Sequence, residues 1–237
     1  MVNIQTGGRW VGKGLGIIFL VAGLWQAMAT ASAIGPEEVH HYREITGKSV
    51  KTVEWRLSKG DPMILTYTSP GERYVTATGP DYDTRRWRVA ADNGRTALIA
   101  ERVGAAITIR GRFKGDTVNK VLAIDDAPWY QATSLSLRQL VASEAKEKCF
   151  WTIRIDTLSA HKIKAIKKGV ENLNKNACQQ SLMHIRLTLT GFLAPFWKSD
   201  YWFALPGGIF DRFKGPSGPP GSPMTTVTRM VACRDSP

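Results

Sequence analysis

The sequence predicts a mainly β protein: a strongly curved antiparallel sheet or incomplete barrel with one or two short helices. Two observations carry that reading. First, apolar and polar residues alternate with period two. Lys51-Val53-Trp55-Leu57 alternates with Thr52-Glu54-Arg56, Met63-Leu65-Tyr67 with Ile64-Thr66-Thr68, and Met183-Ile185-Leu187-Leu189 with His184-Arg186-Thr188-Thr190. Such alternation sets one face of each strand on a core and the other in water. Second, turn chemistry separates the runs, at Gly60-Asp61-Pro62, Ser69-Pro70-Gly71, Gly79-Pro80-Asp81, Asp92-Asn93-Gly94, Gly115-Asp116 and Pro206-Gly207-Gly208. A sheet of about a dozen antiparallel strands does not stay open and flat; it curls, splits or closes.

The elements follow in chain order. Arg9 and Lys13 precede the first acidic residue, Glu37; Leu15 to Trp25 reads LGIIFLVAGLW; Ala31-Ser32-Ala33 is a small-residue cleavage signal. This order predicts a signal peptide over residues 1–33. The alternative is an uncleaved anchor, but the unbroken apolar core is short for a bilayer span of about 20 residues. Residues 34–237 would then form a single antiparallel β domain, periplasmic or secreted. Strands are expected near 38–46, 49–58, 62–69, 72–79, 84–90, 96–103, 105–113 and 117–125. After the break at Asp125-Asp126-Ala127-Pro128, Leu135, Leu137 and Leu140-Val141 suit one helical face, with Ser134 as its cap. A strand at 148–156 follows. Residues 157–173 read two ways. Ile163, Ile166, Val170 and Leu173 recur at helical spacing, yet Ile163 and Ala165 alternate with Lys162 and Lys164, and Gly169 disfavours a helix. Strand is favoured, turning at Asn174-Lys175-Asn176 into a strand at 181–193. Strands near 199–205, 208–214 and 224–232 complete the pattern. The run GPSGPPGSP at 215–223 is too short for a collagen triple helix and reads as a rigid surface loop.

Composition narrows the function classes. With 43% hydrophobic and 22% charged residues the chain is not disordered, and three cysteines cannot build a disulfide-dense scaffold. Cys149 lies in an apolar strand pattern and is expected buried; Cys178 and Cys233, in polar surroundings, are the favoured pair. The four histidines form no metal or catalytic motif, Asp125-Asp126 reads as a turn, and no glycine loop has phosphate-binding spacing. No catalytic residue, metal or cofactor is therefore assigned. The aromatic residues are more suggestive. Trp55, Trp87 and Trp151 share strand faces with Val53, Val89 and Ile153, and the Trp129-Tyr130 pair adjoins the expected helix. Each alone is ordinary core packing; together they could line a ligand cavity, with Trp129 and Tyr130 at its mouth. The net charge is +12, concentrated in Lys162, Lys164, Lys167 and Lys168 and in Arg85-Arg86-Trp87-Arg88. Export would remove nucleic acid as a partner and favour anionic envelope surfaces.

Two stretches carry a resemblance. One runs from Ile124-Asp125-Asp126-Ala127-Pro128-Trp129-Tyr130-Gln131 through Leu135-Ser136-Leu137-Arg138 to Phe150-Trp151-Thr152-Ile153-Arg154. The other joins Thr190-Gly191-Phe192, Phe196-Trp197-Lys198-Ser199-Asp200-Tyr201-Trp202-Phe203, Gly207-Gly208, and Gly215-Pro216 through Pro223-Met224-Thr225. Together they resemble exported bacterial proteins of unknown function with a β-barrel-like domain. The shape is distantly similar to the half-barrels of periplasmic lipid and lipoprotein carriers. These motifs are structural, so the resemblance implies a fold and no active site. The expected function is non-catalytic binding of an apolar or amphipathic, lipid-like ligand; the alternative is an envelope interaction protein that uses a basic surface.

Overall fold

The computed structural model describes residues 37–175, 178–216, 218 and 221–230. The expected signal segment and Cys233 lie outside the described residues, and with Cys233 so does the expected Cys178–Cys233 pair.

Among the described residues, fourteen strands form one sheet. The first eight are β1 (Glu38–Thr46), β2 (Ser49–Ser58), β3 (Met63–Ser69), β4 (Glu72–Thr78), β5 (Thr84–Ala91), β6 (Thr96–Val103), β7 (Ala106–Phe113) and β8 (Asp116–Ala123). Two short helices follow, α1 (Thr133–Ser136) and α2 (Arg138–Ala142). The rest are β9 (Glu147–Arg154), β10 (Ser159–Lys175), β11 (Cys178–Leu189), β12 (Lys198–Leu205), β13 (Ile209–Pro216) and β14 (Met224–Arg229). All pairings are antiparallel, and the spatial order is β8 through β1, then β14 through β9. Two meanders thus meet at one seam, where β1 pairs with β14 from Tyr42↔Arg229 to Thr46↔Thr225.

The sheet's two edges, β8 and β9, are bridged without a ladder between them. The chain leaving β8 turns at Asp125, whose carboxylate accepts from the Ala127 amide at 3.0 Å. It then runs parallel to β9: the Tyr130 amide donates to Trp151 O, and the Trp151 amide to Pro128 O, both at 2.8 Å. On its other side the Thr84 amide of β5 donates to Trp129 O at 2.7 Å. Lys120 on β8 reaches the carbonyls of Thr157 and Leu158 beyond β9. One linker therefore stands in for a missing strand and makes the sheet an incomplete barrel.

Two buried clusters fill the interior. One gathers Tyr42, Val53, Trp55, Leu57 and Leu65 with Leu135, Leu137 and Leu140 of the helices and Phe150, Ile163, Ile185 and Phe203. The other joins Trp87, Val89, Leu98, Ile107 and Ile109 to Trp129, Ile153 and Leu158. Phe150 serves the first cluster and Ile153 the second, so β9 is covered on both faces.

Several expectations change. The expected helix is two short pieces. Ser134 does not cap it: the residue before α1 is Ala132, no side chain caps the turn, and the Ser134 hydroxyl accepts from the Trp55 indole. Residues 159–175 are strand, as favoured. The helix-like spacing there mixes both faces of the strand: Ile163 and Val170 oppose Leu189 and Met183, Ile166 and Leu173 oppose Arg186 and Gln180, and a register shift lies between Lys167 and Gly169, with Gly169 at φ +128°. The irregularity shifts the period-two phase midway along the strand. Asn174 and Lys175 remain paired in β10, so the turn into β11 lies at residues 176–177, outside the described residues. Cys149 is half-buried and free, because strand alternation gives Phe150 the core.

One glycine sets a strand spacing. Gly111 on β7 has φ +131°, and a Cβ there would lie 2.1 Å from the Ala97 carbonyl oxygen of β6. The Gly111→Ala variant is expected to lose about 2 kcal/mol or more, from backbone strain plus separation of the β6–β7 ladder. A lowered urea midpoint with an unchanged m-value checks this.

Candidate ligand cavity

The inner wall is built by register. Trp55 on β2 faces Tyr67 on β3, Tyr67 faces Tyr74 on β4, and Thr76 faces Trp87 on β5. Opposite, α1 and α2 are pinned into the open side of the sheet. The Trp55 indole N–H donates to Ser134 Oγ at 3.1 Å. Thr133 Oγ1 donates to Tyr201 OH at 3.0 Å, and Ser136 Oγ to Tyr82 O at 2.8 Å. Arg138 lies over the Trp55 ring, 5.1 Å from its centroid, and reaches Glu38 on β1 with both terminal nitrogens, at 2.6 and 3.0 Å. Burial raises the Glu38 carboxyl, but hydrogen bonds from His40 and Arg138 outweigh it and hold the group at about 2.

Three cavities open inside this wall. The first, ≈ 270 Å³, is lined by Trp55, Tyr67, Tyr74, Trp87, Gln131 and Ile153 among others. The second, ≈ 400 Å³, runs along Tyr42, Trp55, Tyr67, Trp197, Tyr201 and Phe210. The third, ≈ 690 Å³, lies among Phe150, Ile163, Leu187, Leu189, Trp197 and Tyr201. Thr133 lines all three. It marks where they adjoin, so α1 stands at the centre of the hollow rather than sealing it.

The walls are apolar with sparse polar groups, as in small-molecule sites generally. Burial pushes the Tyr67 phenol up to about 12, helped by the Glu44 carboxylate, and burial likewise raises Tyr201. Both stay neutral hydroxyls at ordinary pH. Ser199, 1% exposed, stands in the second cavity's wall, and its Oγ has no hydrogen-bond partner among the described residues. At one end of the wall Lys51 bridges Glu44 (3.2 Å) and Glu72 (2.9 Å). At another, Arg154, Asp156 and His161 edge the third cavity, with Arg154 paired to Asp156. Burial, then the nearby Arg154 charge, lowers the His161 imidazole. Phe196, 66% exposed, stands at that cavity's mouth, and the Trp197 indole donates to Gly218 O at 2.9 Å.

The five aromatic residues singled out by sequence divide. Trp55 and Trp87 line the cavities. Trp129 and Tyr130 are buried, one in each core cluster, and Trp151 donates to Asp125 on the side of β9 facing the linker. None of these three residues lines the three cavities described above. Trp129 carries the parallel bridge to β9, so its ring is enclosed instead of standing at a mouth. Sequence reasoning missed Tyr67, Tyr201, Thr133 and Gly218. Tyr67 was visible as an inward residue of its strand; Gly218 lies in the proline-glycine run, read as a plain surface loop.

The two basic stretches are each partly engaged. Lys162 pairs with Asp125, Lys164 with Glu147 at 2.8 Å, and Lys167 donates to the Val141 and Ser143 carbonyls at the end of α2. Arg85 pairs with Asp61 at 3.1 Å and Arg86 with Glu101 at 2.6 Å, while Arg88 on β5 and Lys168 on β10 are exposed and make no ion pair among the described residues. His184 lies beside two carboxylates, 3.1 Å from Glu171 and 2.7 Å from Asp200, stacked on Trp202 and outside the three cavities. Among the described residues no cluster of His, Cys, Asp and Glu could hold a metal.

No protein-family model and no curated protein matches the chain. Among solved structures it is similar to a β-barrel-like protein of a domain of unknown function from Brucella abortus. The TM-score is 0.58 at 8% identity, covering 85% of this chain and 98% of that one. A LolA superfamily protein from Nitrosomonas europaea also aligns, at TM-score 0.24 and 7% identity over 85% of this chain and 86% of the other. The first likeness shows a shared β-barrel-like fold, as the resemblance implied; the second is too slight to bear weight. Fold and site together define a β-barrel-like protein with adjoining apolar cavities around a short helical plug.

Proposed function

We propose that this protein is a non-catalytic binding protein for an apolar or amphipathic, lipid-like ligand held inside the curved sheet, and that it works outside the cytoplasm after export. The observation that supports it most is the set of three adjoining cavities around Thr133, walled by aromatic and aliphatic side chains. Export rests on the charged start, apolar run and Ala31-Ser32-Ala33 of the sequence. The non-catalytic reading rests on the walls, whose only imidazole, His161, is hydrogen-bonded to Ser159 at 2.9 Å.

The test is mass spectrometry of small molecules extracted from natively purified protein, with titration of the neutral apolar dye N-phenyl-1-naphthylamine. A lipid-like species should co-purify, and the dye should bind. Leu189→Trp, which projects into the third cavity, should weaken the dye roughly tenfold through lost volume. An empty protein that also fails to bind the dye refutes the reading.

A further inference from the structure

The outer face of β4–β7 has an order that the cavities do not explain. One rung of cross-strand partners reads Val75, Arg88, Ile99, Arg110. The next carries Arg73 and Arg112 at its two ends, with Ala90 and Ala97 between them. Opposite residues in a ladder share a face, so four arginines stand on one surface around exposed Ile99. All four are exposed, and none makes an ion pair among the described residues. The surface continues into a shallow groove of ≈ 570 Å³, floored by Ile64, Val75 and Ala77 and edged by further arginines. Glu101 is the acidic residue of that groove, and Arg86 already answers it at 2.6 Å.

We propose that this face docks the protein onto an anionic phospholipid surface. Clustered guanidiniums meet lipid phosphates with paired hydrogen bonds. Small apolar side chains between them suit the headgroup boundary. Each basic residue close to such a surface strengthens binding by about fivefold. The lysine stretch on β10 offers less free charge: Lys162 and Lys164 pair with Asp125 and Glu147, Lys167 meets helix-end carbonyls, and Lys168 alone of the four is exposed without a partner among the described residues. The inner residues of the same strands, Trp87 and Val89 among them, belong to the core. The face is thus separate from the cavities and its test does not depend on the ligand.

The full chain is sedimented with vesicles of phosphatidylcholine alone and with vesicles containing about one-third phosphatidylglycerol, at low and high salt. The readout is the gain in binding caused by the anionic lipid. The wild type should show a gain that vanishes near about 0.5 M salt. Arg88→Glu/Arg110→Glu should cut the gain by roughly tenfold or more, while Lys162→Glu/Lys164→Glu should leave most of it. Should the double reversal fail to fold, Arg88→Gln/Arg110→Gln carries the same test with a smaller loss. Three results overturn the proposal: no gain in the wild type, an equal gain in the arginine variants, or capture of the chain by dextran sulfate without vesicle binding.

Discussion

Trp129→Ala is expected to lower the stability of the protein by about 4 kcal/mol, the usual cost of emptying a fully buried tryptophan site. The indole is 0% exposed and packs in the cluster that joins β5–β7 to β9. Its N–H donates to Gln131 Oε1 at 3.0 Å, and the same oxygen accepts from the Ile153 amide at 2.9 Å. Truncation therefore removes volume and loosens the contact between the linker and β9. Trp129→Phe keeps most of the volume and loses the N–H donor, and should cost about 2 kcal/mol. Chemical denaturation of both variants separates the two contributions. Because Trp129 lies outside the three cavity walls, Trp129→Phe should bind the apolar dye like the wild type. A tenfold loss of dye binding in the folded variant would return Trp129 to the ligand site.

Arg138→Met is the second large effect, about 3 kcal/mol, set by the unpaired carboxylate it leaves rather than by the ion pair's own net worth. Arg138 is nearly buried and Glu38 is 16% exposed, so Glu38 would keep only His40 as a partner. The pH dependence has a definite sign. The Glu38 carboxyl is held at about 2 in the folded protein against an ordinary 4.5. A depressed carboxyl stabilises the fold above its unfolded value and loses that contribution as pH falls toward its folded value. Wild-type stability should therefore fall between about pH 5 and pH 2, partly through this group. In Arg138→Met the carboxyl rises, and that segment of the curve flattens. Unfolding midpoints across that range check it; parallel curves for the two proteins would show that Arg138 does not hold Glu38 down.

Strand positions were legible because nearly every strand has one wet and one dry face, and that contrast is written locally. Legibility failed where a neighbour distant in sequence decides. Ser134 has the chemistry of a cap, but the Trp55 indole, 79 positions away, takes its oxygen. Trp129 looked like a cavity residue because it follows a turn and precedes a helix; pairing with β9 encloses it. Residues 159–175 looked half helical because apolar residues from both faces of one strand fall at helical spacing, and the register shift after Lys167 keeps Val170 on the face of Ile163. The two basic stretches looked uniformly free, but distant carboxylates engage part of each: Asp125 and Glu147 take Lys162 and Lys164, and Asp61 and Glu101 take Arg85 and Arg86. The cavity itself had a partial signal in inward-facing Trp55, Tyr67 and Trp87. The largest of the three chambers depends on how β10, β11 and the residues Pro216, Gly218 and Ser222 come together, which no local pattern encodes.

The seam between β1 and β14 constrains how the chain can acquire its structure. Each meander is made of neighbours in sequence, whose loops close at little entropic cost and in short times. The seam joins residues such as Tyr42 and Arg229 across almost the whole domain, and contacts of that separation slow folding. During synthesis β1 keeps one bare edge until residues 224–229 have emerged. An open, hydrogen-bond-hungry edge of nine residues invites pairing with other chains. The last strand thus acts as the fold's kinetic latch, and the interval before it closes is when the protein is most exposed to aggregation.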